Sequence, residues 1–215
     1  MAGIVSAAVY NVYISQNKSY VVQDRVAEMQ QNLRAANYMM RREIMMAGYN
    51  PLRAAGVGIV SASDTQLQFR MDITGGEADG LDNDLDGVVD EEGESDGDAD
   101  DTNEDITYLL DGSDLKRNGQ VLAENIDELN FVYLDAGGND LGANPGDLTE
   151  IRSIQLSLVA RADFGDPDYT NNTIYRNQIP DPDDPPVNQP IYTAPGDGFR
   201  RRLLTTQIRC RNLGL

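Results

Sequence analysis

Hydrophobic positions in the first fifty residues follow two patterns in succession. Residues 3–14 are apolar on nearly every side, carrying Ile4, Val5, Ala7, Ala8, Val9, Tyr10, Val12, Tyr13 and Ile14. From Tyr20 the pattern turns amphipathic. Val22, Val26, Met29, Leu33, Ala36, Met40, Ile44 and Ala47 recur at gaps of three or four. That spacing places them on one face of an α-helix. Gln23, Asp24, Glu28, Arg34, Arg41 and Arg42 fall mostly off the stripe. No proline interrupts the run before Pro51, and Gly48 stands where a helix stop belongs. The pattern predicts one rod of roughly 65 Å, longer than a small globular domain needs. Val22, Val26, Met29, Leu33, Ala36, Met40 and Ile44 are the residues expected to pack on a head. Ile4, Val5, Val9, Val12 and Ile14 are expected to meet lipid or other helices.

After Pro51 the period changes to two. Leu67, Phe69, Met71 and Ile73 alternate with Gln66, Gln68, Arg70 and Asp72, which marks a half-buried strand. Residues 57–61 are its expected hairpin partner, with a turn at Ser63-Asp64. Ile106, Tyr108 and Leu110 predict a further strand, turning at Asp111-Gly112 into 115–117. Asn118-Gly119 is a strong two-residue hairpin signal. Leu129, Phe131 and Tyr133 alternate next, then Ile154, Leu156, Leu158 and Ala160, and last Leu204, Thr206, Ile208 and Cys210. One helix followed by a series of strands predicts an α+β fold: a long N-terminal helix packed on a mostly antiparallel sheet. The helix occupies 1–50 and the β-rich head 51–215. Two long loops, 74–105 and 163–198, are expected to break the strand series; seven of the nine prolines lie in the second.

Composition narrows the function. The chain of 215 residues has a net charge of −19, which argues against a nucleic-acid partner. It contains no His and no Trp and a single Cys, Cys210. The commonest general base and the commonest zinc ligand are therefore missing, and no internal disulfide or cysteine metal cluster is available. Cys210 reads as a small buried hydrophobe. Mean hydropathy is −0.47. A spanning helix needs about 20 apolar residues. The run 3–14 is shorter, and reads as the latter part of a longer apolar segment.

The charge is concentrated. Residues 77–105 hold fifteen carboxylates and no Lys or Arg, leaving −4 for the remainder. Within them Asp82, Asp84, Asp86, Gly87, Val88 and Asp90 fit the front of a calcium loop. Alternate carboxylates converge on one hard cation, the glycine permits the sharp turn, and the Val88 carbonyl adds an oxygen. Glu91 follows, and the twelfth position, normally a bidentate Glu, is Gly93. The pattern recurs fourteen residues on, at Asp96, Asp98, Asp100, Glu104 and Asp105. One or two calcium sites are expected, with affinity of roughly 0.1–1 mM suited to an extracellular setting. A solvated acidic loop is the plainer alternative.

Other features carry less. Arg200, Arg201 and Arg202 could pair with the acidic segment, dock a partner, or face solvent, and exposure is the simplest reading. Asn171-Asn172-Thr173 matches a glycosylation sequon. Tyr169, Tyr175 and Tyr192 could form a ligand surface or pin the proline-rich loop. No catalytic constellation is present, so an enzyme is not expected.

The run from Tyr20 to Ala36 (YVVQDRVAEMQQNLRAA), the continuation from Arg42 to Pro51, and the tail from Arg200 to Leu215 resemble the PilW-type minor pilins. That group belongs with the type IV pilins and the type II secretion pseudopilins, GspJ included. The resemblance implies a lollipop: a helix whose apolar end enters the inner membrane before assembly and the filament core after it, and a sheet-bearing head outside. It implies a part that joins other minor and major pilins to initiate and cap an envelope-spanning filament, located in the cell envelope and extracellular once assembled. The other reading is a calcium-dependent extracellular adhesin or glycan-binding module acting through 79–105 and 163–198.

Overall fold

The computed structural model describes residues 2–51, 56–73, 87–88, 99, 103–180, 183 and 187–214. Its first element, α1 (Ala2–Met46), is a single unbroken helix of 45 residues, about 68 Å at the standard rise. Neither Gly nor Pro occurs between Ile4 and Ala47, so nothing in the run breaks the hydrogen-bond ladder. The helix stops at Gly48, whose φ is 78°. A side chain there would also collide with Leu213 Cδ2 at 2.5 Å. Asn212 donates to the Met46 carbonyl at 3.3 Å, so the end of the chain caps the end of the helix.

The strands are β1 (Gly58–Ala62), β2 (Gln66–Arg70), β3 (Asp105–Asp111), β4 (Asp114–Arg117), β5 (Gln120–Ala123), β6 (Ile126–Leu134), β7 (Ser153–Arg161), β8 (Ile174–Pro180), β9 (Asn188–Thr193) and β10 (Arg201–Arg209). They form three antiparallel sheets. β1 to β5 make a five-stranded meander, β10-β7-β6 a three-stranded sheet, and β8-β9 a two-stranded one. The β4–β5 turn places Asn118 at φ 48° and Gly119 at φ 77°, the double positive that a type I′ hairpin demands. The α+β architecture is the one expected: one long N-terminal helix on antiparallel sheet.

The core lies between α1 and the two larger sheets. Met29, Leu33, Ala36, Met40, Ile44 and Ala47 are buried against Phe69, Tyr108, Leu129, Phe131, Leu156 and Leu158. Val26 packs on this core half-buried and Val22 is half-buried beyond it, so full burial of the stripe begins at Met29, about two turns after Val22.

One element departs from expectation. Segment 163–198 is not a loop throughout: β8 and β9 pair within it. This hairpin covers the outer face of β7. The Gln178 amide donates to Gln155 Oε1 at 2.9 Å, and Gln155 and Ser157 are buried although polar. Both faces of β7 are therefore closed, which the polar half of its alternation did not suggest. Prolines at 180 and 190 sit at a strand end and in a two-stranded sheet, where a missing N–H is tolerated.

Candidate functional site

The N-terminal part of α1 is the feature that the head does not absorb. Val9, Val12 and Tyr13 are 64%, 56% and 67% exposed, and Tyr10 and Ile14 are exposed as well. Ile4 and Val5 lie in the same helix, with side chains outside the described residues. A helix that is apolar on several faces is stable in water only when something covers it. No described helix is long and apolar enough to cross a membrane.

Between this exposed end and the buried half, polar contacts tie α1 to the loop before β8. The Arg25 guanidinium lies 4.7 Å from the centroid of the Phe164 ring and 4.0 Å from Asp163. Lys18 reaches Asp168 at 3.5 Å. These contacts are exposed, so each is weak. Deeper in, Glu43 is buried on the core side of α1. It accepts from Arg117 Nε at 3.0 and 3.1 Å and from the Tyr108 hydroxyl. Burial, then the Glu43 carboxylate, push the Tyr108 phenol well above its ordinary value, so it stays a donor. In the sequence Glu43 is one polar residue beside the apolar position Ile44, with no local mark of this role. Its partners lie 65 and 74 residues away, which no local pattern reveals.

The basic triplet divides. Arg201 is not exposed: its side chain is 1% accessible. It bonds Asp127 at 2.5 Å and Asp197 at 2.5 and 2.7 Å, and its raised pKa follows first from the Asp197 hydrogen bonds. Arg161 reaches the other oxygen of Asp127 at 2.7 Å. Arg200 pairs with Asp166 at 2.7 Å and stacks 4.3 Å from Tyr169. Arg202 alone of the three is exposed. Burying Arg201 at the start of the edge strand β10 needs two carboxylates, and only the fold brings them there.

Of the expected calcium ligands, Asp82, Asp84, Asp86, Asp90, Glu91, Asp96, Asp98 and Asp100 lie outside the described residues. Val88 is exposed, and Gly87 has φ 101°, the left-handed turn that the sixth position of such a loop requires. Glu104 is buried and accepts from the Ile73 amide at 2.6 Å. Asp105 stands at the start of β3, accepting from Gln68 at 2.7 Å and pairing with Arg70 at 2.9 Å. Both end residues of the second repeat thus have protein partners. Among the described residues no group of three or more His, Cys, Asp or Glu side chains is placed to hold a metal.

The minor features settle simply. Tyr175 and Tyr192 face each other across β8 and β9 with centroids 6.2 Å apart, pinning the hairpin. Asn171 is buried and accepts from the Thr173 amide at 3.0 Å, a turn-forming role. Cys210 is buried, and burial pushes its thiol up to about 12, as a core residue requires.

The chain matches no protein-family model, and no curated protein matches it. Among solved structures it is similar to a type IV-like pilin from Thermus thermophilus. The identity is 16% and the TM-score 0.50, over 86% of this chain and 98% of that one. The shared feature is the fold: a long N-terminal helix on antiparallel sheet.

Proposed function

We propose that this chain is a structural subunit of a type IV pilus-like filament of the cell envelope, of the minor pilin or pseudopilin kind, with no catalytic role. The observation that carries the reading is the divided helix. Met29 to Ala47 is locked into the head, while Val9 to Ile14 stands exposed and apolar on the same rod. Burying Val9, Val12 and Ile14 against neighbouring helices stabilises assembly by about 1.5–3 kcal/mol per side chain. Before assembly the same surface would rest in the inner membrane. Neighbouring major and minor pilins are the partners, and helping to initiate and cap the filament is the specific role proposed.

Calcium belongs to the same reading. The Asp82, Asp84, Asp86 spacing and the left-handed Gly87 support a first site. The protein partners of Glu104 and Asp105 favour that loop over the second.

A cysteine at position 12 tests the subunit role. Cys210 is buried and will not compete. Oxidising intact cells carrying Val12→Cys should give a disulfide-linked product with a neighbouring subunit's helix when that helix carries a matching cysteine. Failure at every helical register contradicts packing through this surface.

A further inference from the structure

The head carries two oppositely charged patches that its internal ion pairs leave unused. Arg34, Arg41, Arg42, Arg202, Arg209 and Arg211 are exposed and make no ion pair among the described residues. They share two stretches nearly free of acid. Between Gln30 and Ala47 the one carboxylate is Glu43, already held by Arg117, and residues 201–214 contain none. In a chain of net charge −19 this is a marked segregation. Arg41, Arg209 and Arg211 line a groove of about 430 Å³ between α1 and β10, with Met45 and Ile208 as its apolar lining.

The second patch lies beside β6. Asp64, Glu128 and Asp140 line a cavity of about 260 Å³ with Asn130, Asn177 and Gln189, and no Lys or Arg lines it. Asn130 Oδ1 is buried with no hydrogen-bond partner. Asn177 Nδ2 is turned toward Gln189 at 3.4 Å. Both amide oxygens of that pair are taken, Gln189 Oε1 by Asn177 and Asn177 Oδ1 by the Ile179 amide at 3.0 Å. The acceptors open to the cavity are therefore the Asp64, Glu128 and Asp140 carboxylates and Asn130 Oδ1. A guanidinium, which has five donors and no acceptor, is their complement. Burial and the neighbouring Asp64 and Asp127 raise the Glu128 carboxyl to about 7, a penalty on its charge that a docked cation relieves.

The two patches lie at opposite edges of one sheet, since the order is β10-β7-β6. We propose that copies of this chain associate head to tail, the arginine groove beside β10 of one copy docking on the carboxylate cavity beside β6 of the next. The occupant is a second copy because each copy carries both halves of the complementarity. A contact between different faces of identical subunits does not pair off as a closed dimer; it continues into a ring or an open helical chain. This deepens the filament reading by giving the heads a contact of their own, separate from the helix ends.

Charge exchange tests it on the full chain, held in a non-ionic detergent that covers the apolar helix end. One variant carries Arg41→Glu with Arg209→Glu, the other Asp64→Lys with Asp140→Lys; all four positions are exposed. Sedimentation velocity at low ionic strength should show the parent associating, and each variant alone weakened at least about tenfold. An equimolar mixture of the two should regain the parent's association, because each variant's groove then matches the other's cavity. High salt should dissolve every complex. A mixture that stays monomeric while both variants keep the parent's melting temperature overturns the proposal. So does a parent that shows no association at low salt. If a variant melts early, Arg41→Gln with Arg209→Gln replaces it, and undiminished association then counts against the contact. Crosslinking at position 12 reads the helix contact alone, so the two accounts fail separately.

Discussion

The Arg117 guanidinium of β4 donates through Nε to both oxygens of Glu43 on α1, at 3.0 and 3.1 Å. Helix and five-stranded sheet are thereby joined by a charged pair inside the molecule, completed by the Tyr108 hydroxyl. Removing one partner leaves the other buried and uncompensated. Arg117→Ala, which strands the more buried carboxylate, should lower stability by about 3 kcal/mol, and Glu43→Ala by less, because the guanidinium it leaves is the more exposed partner and keeps Asn103 as an acceptor. The double variant should recover part of the loss. Urea unfolding of the three variants measures the coupling, and additive losses would rule out a cooperative pair.

Glu128 makes head stability depend on pH in an unusual direction. Burial first, then Asp64 and Asp127, raise its carboxyl from 4.5 to about 7. Between those values the folded chain keeps a proton that the unfolded chain has shed. The contribution is present at the acid end of this window and is lost as pH rises through about 7. Glu128→Gln removes it. The variant should gain about 1–2 kcal/mol on the parent between pH ~4 and pH ~8, solvent access screening the remainder. A constant difference across that range contradicts the raised carboxyl.

Arg25 should govern local motion and leave global stability almost unchanged. Its contacts to Phe164 and Asp163 are exposed, each worth about 0.5–1 kcal/mol or less. Arg25→Ala should speed amide exchange in α1 residues on the N-terminal side of Met29, while the melting temperature barely moves. Unchanged exchange there would show that the loop does not hold the helix.

Calcium should stabilise through the first acidic repeat. Asp84→Ala with Asp86→Ala should lower the melting temperature only when calcium is present, since ligand binding to the folded state adds stability by mass action. Coincident melting curves for variant and parent in excess calcium remove the proposed site.

Much of the fold is written locally. The Met29–Ala47 stripe, the alternation in β2, β3, β6 and β7, and the Asn118-Gly119 turn are short-range patterns, and the structure places each as its spacing implies. What local pattern does not carry is pairing across the chain. Arg201 reads as one of three exposed arginines until β6 and the 194–199 turn bring Asp127 and Asp197 to it. The β8–β9 hairpin is hidden because its strands contain prolines and lack strong alternation, and it is held by Gln155–Gln178 and Tyr175–Tyr192 contacts. The polar face of β7 looks solvent-facing for the same reason: its cover comes from a segment whose composition reads as loop.

The central claim is that α1 does two jobs on one rod, its second half belonging to the head and its exposed first half to neighbouring subunits. Val9→Asp with Val12→Asp in the full chain tests it most directly, read by incorporation into sheared surface filaments alongside the melting temperature of the purified protein. Both positions are exposed and make no core contact, so the melting temperature should stay within a degree or two, typical of surface substitutions. Incorporation should disappear, since each charge would enter a contact that otherwise excludes water. Undiminished incorporation with both aspartates in place would contradict the claim.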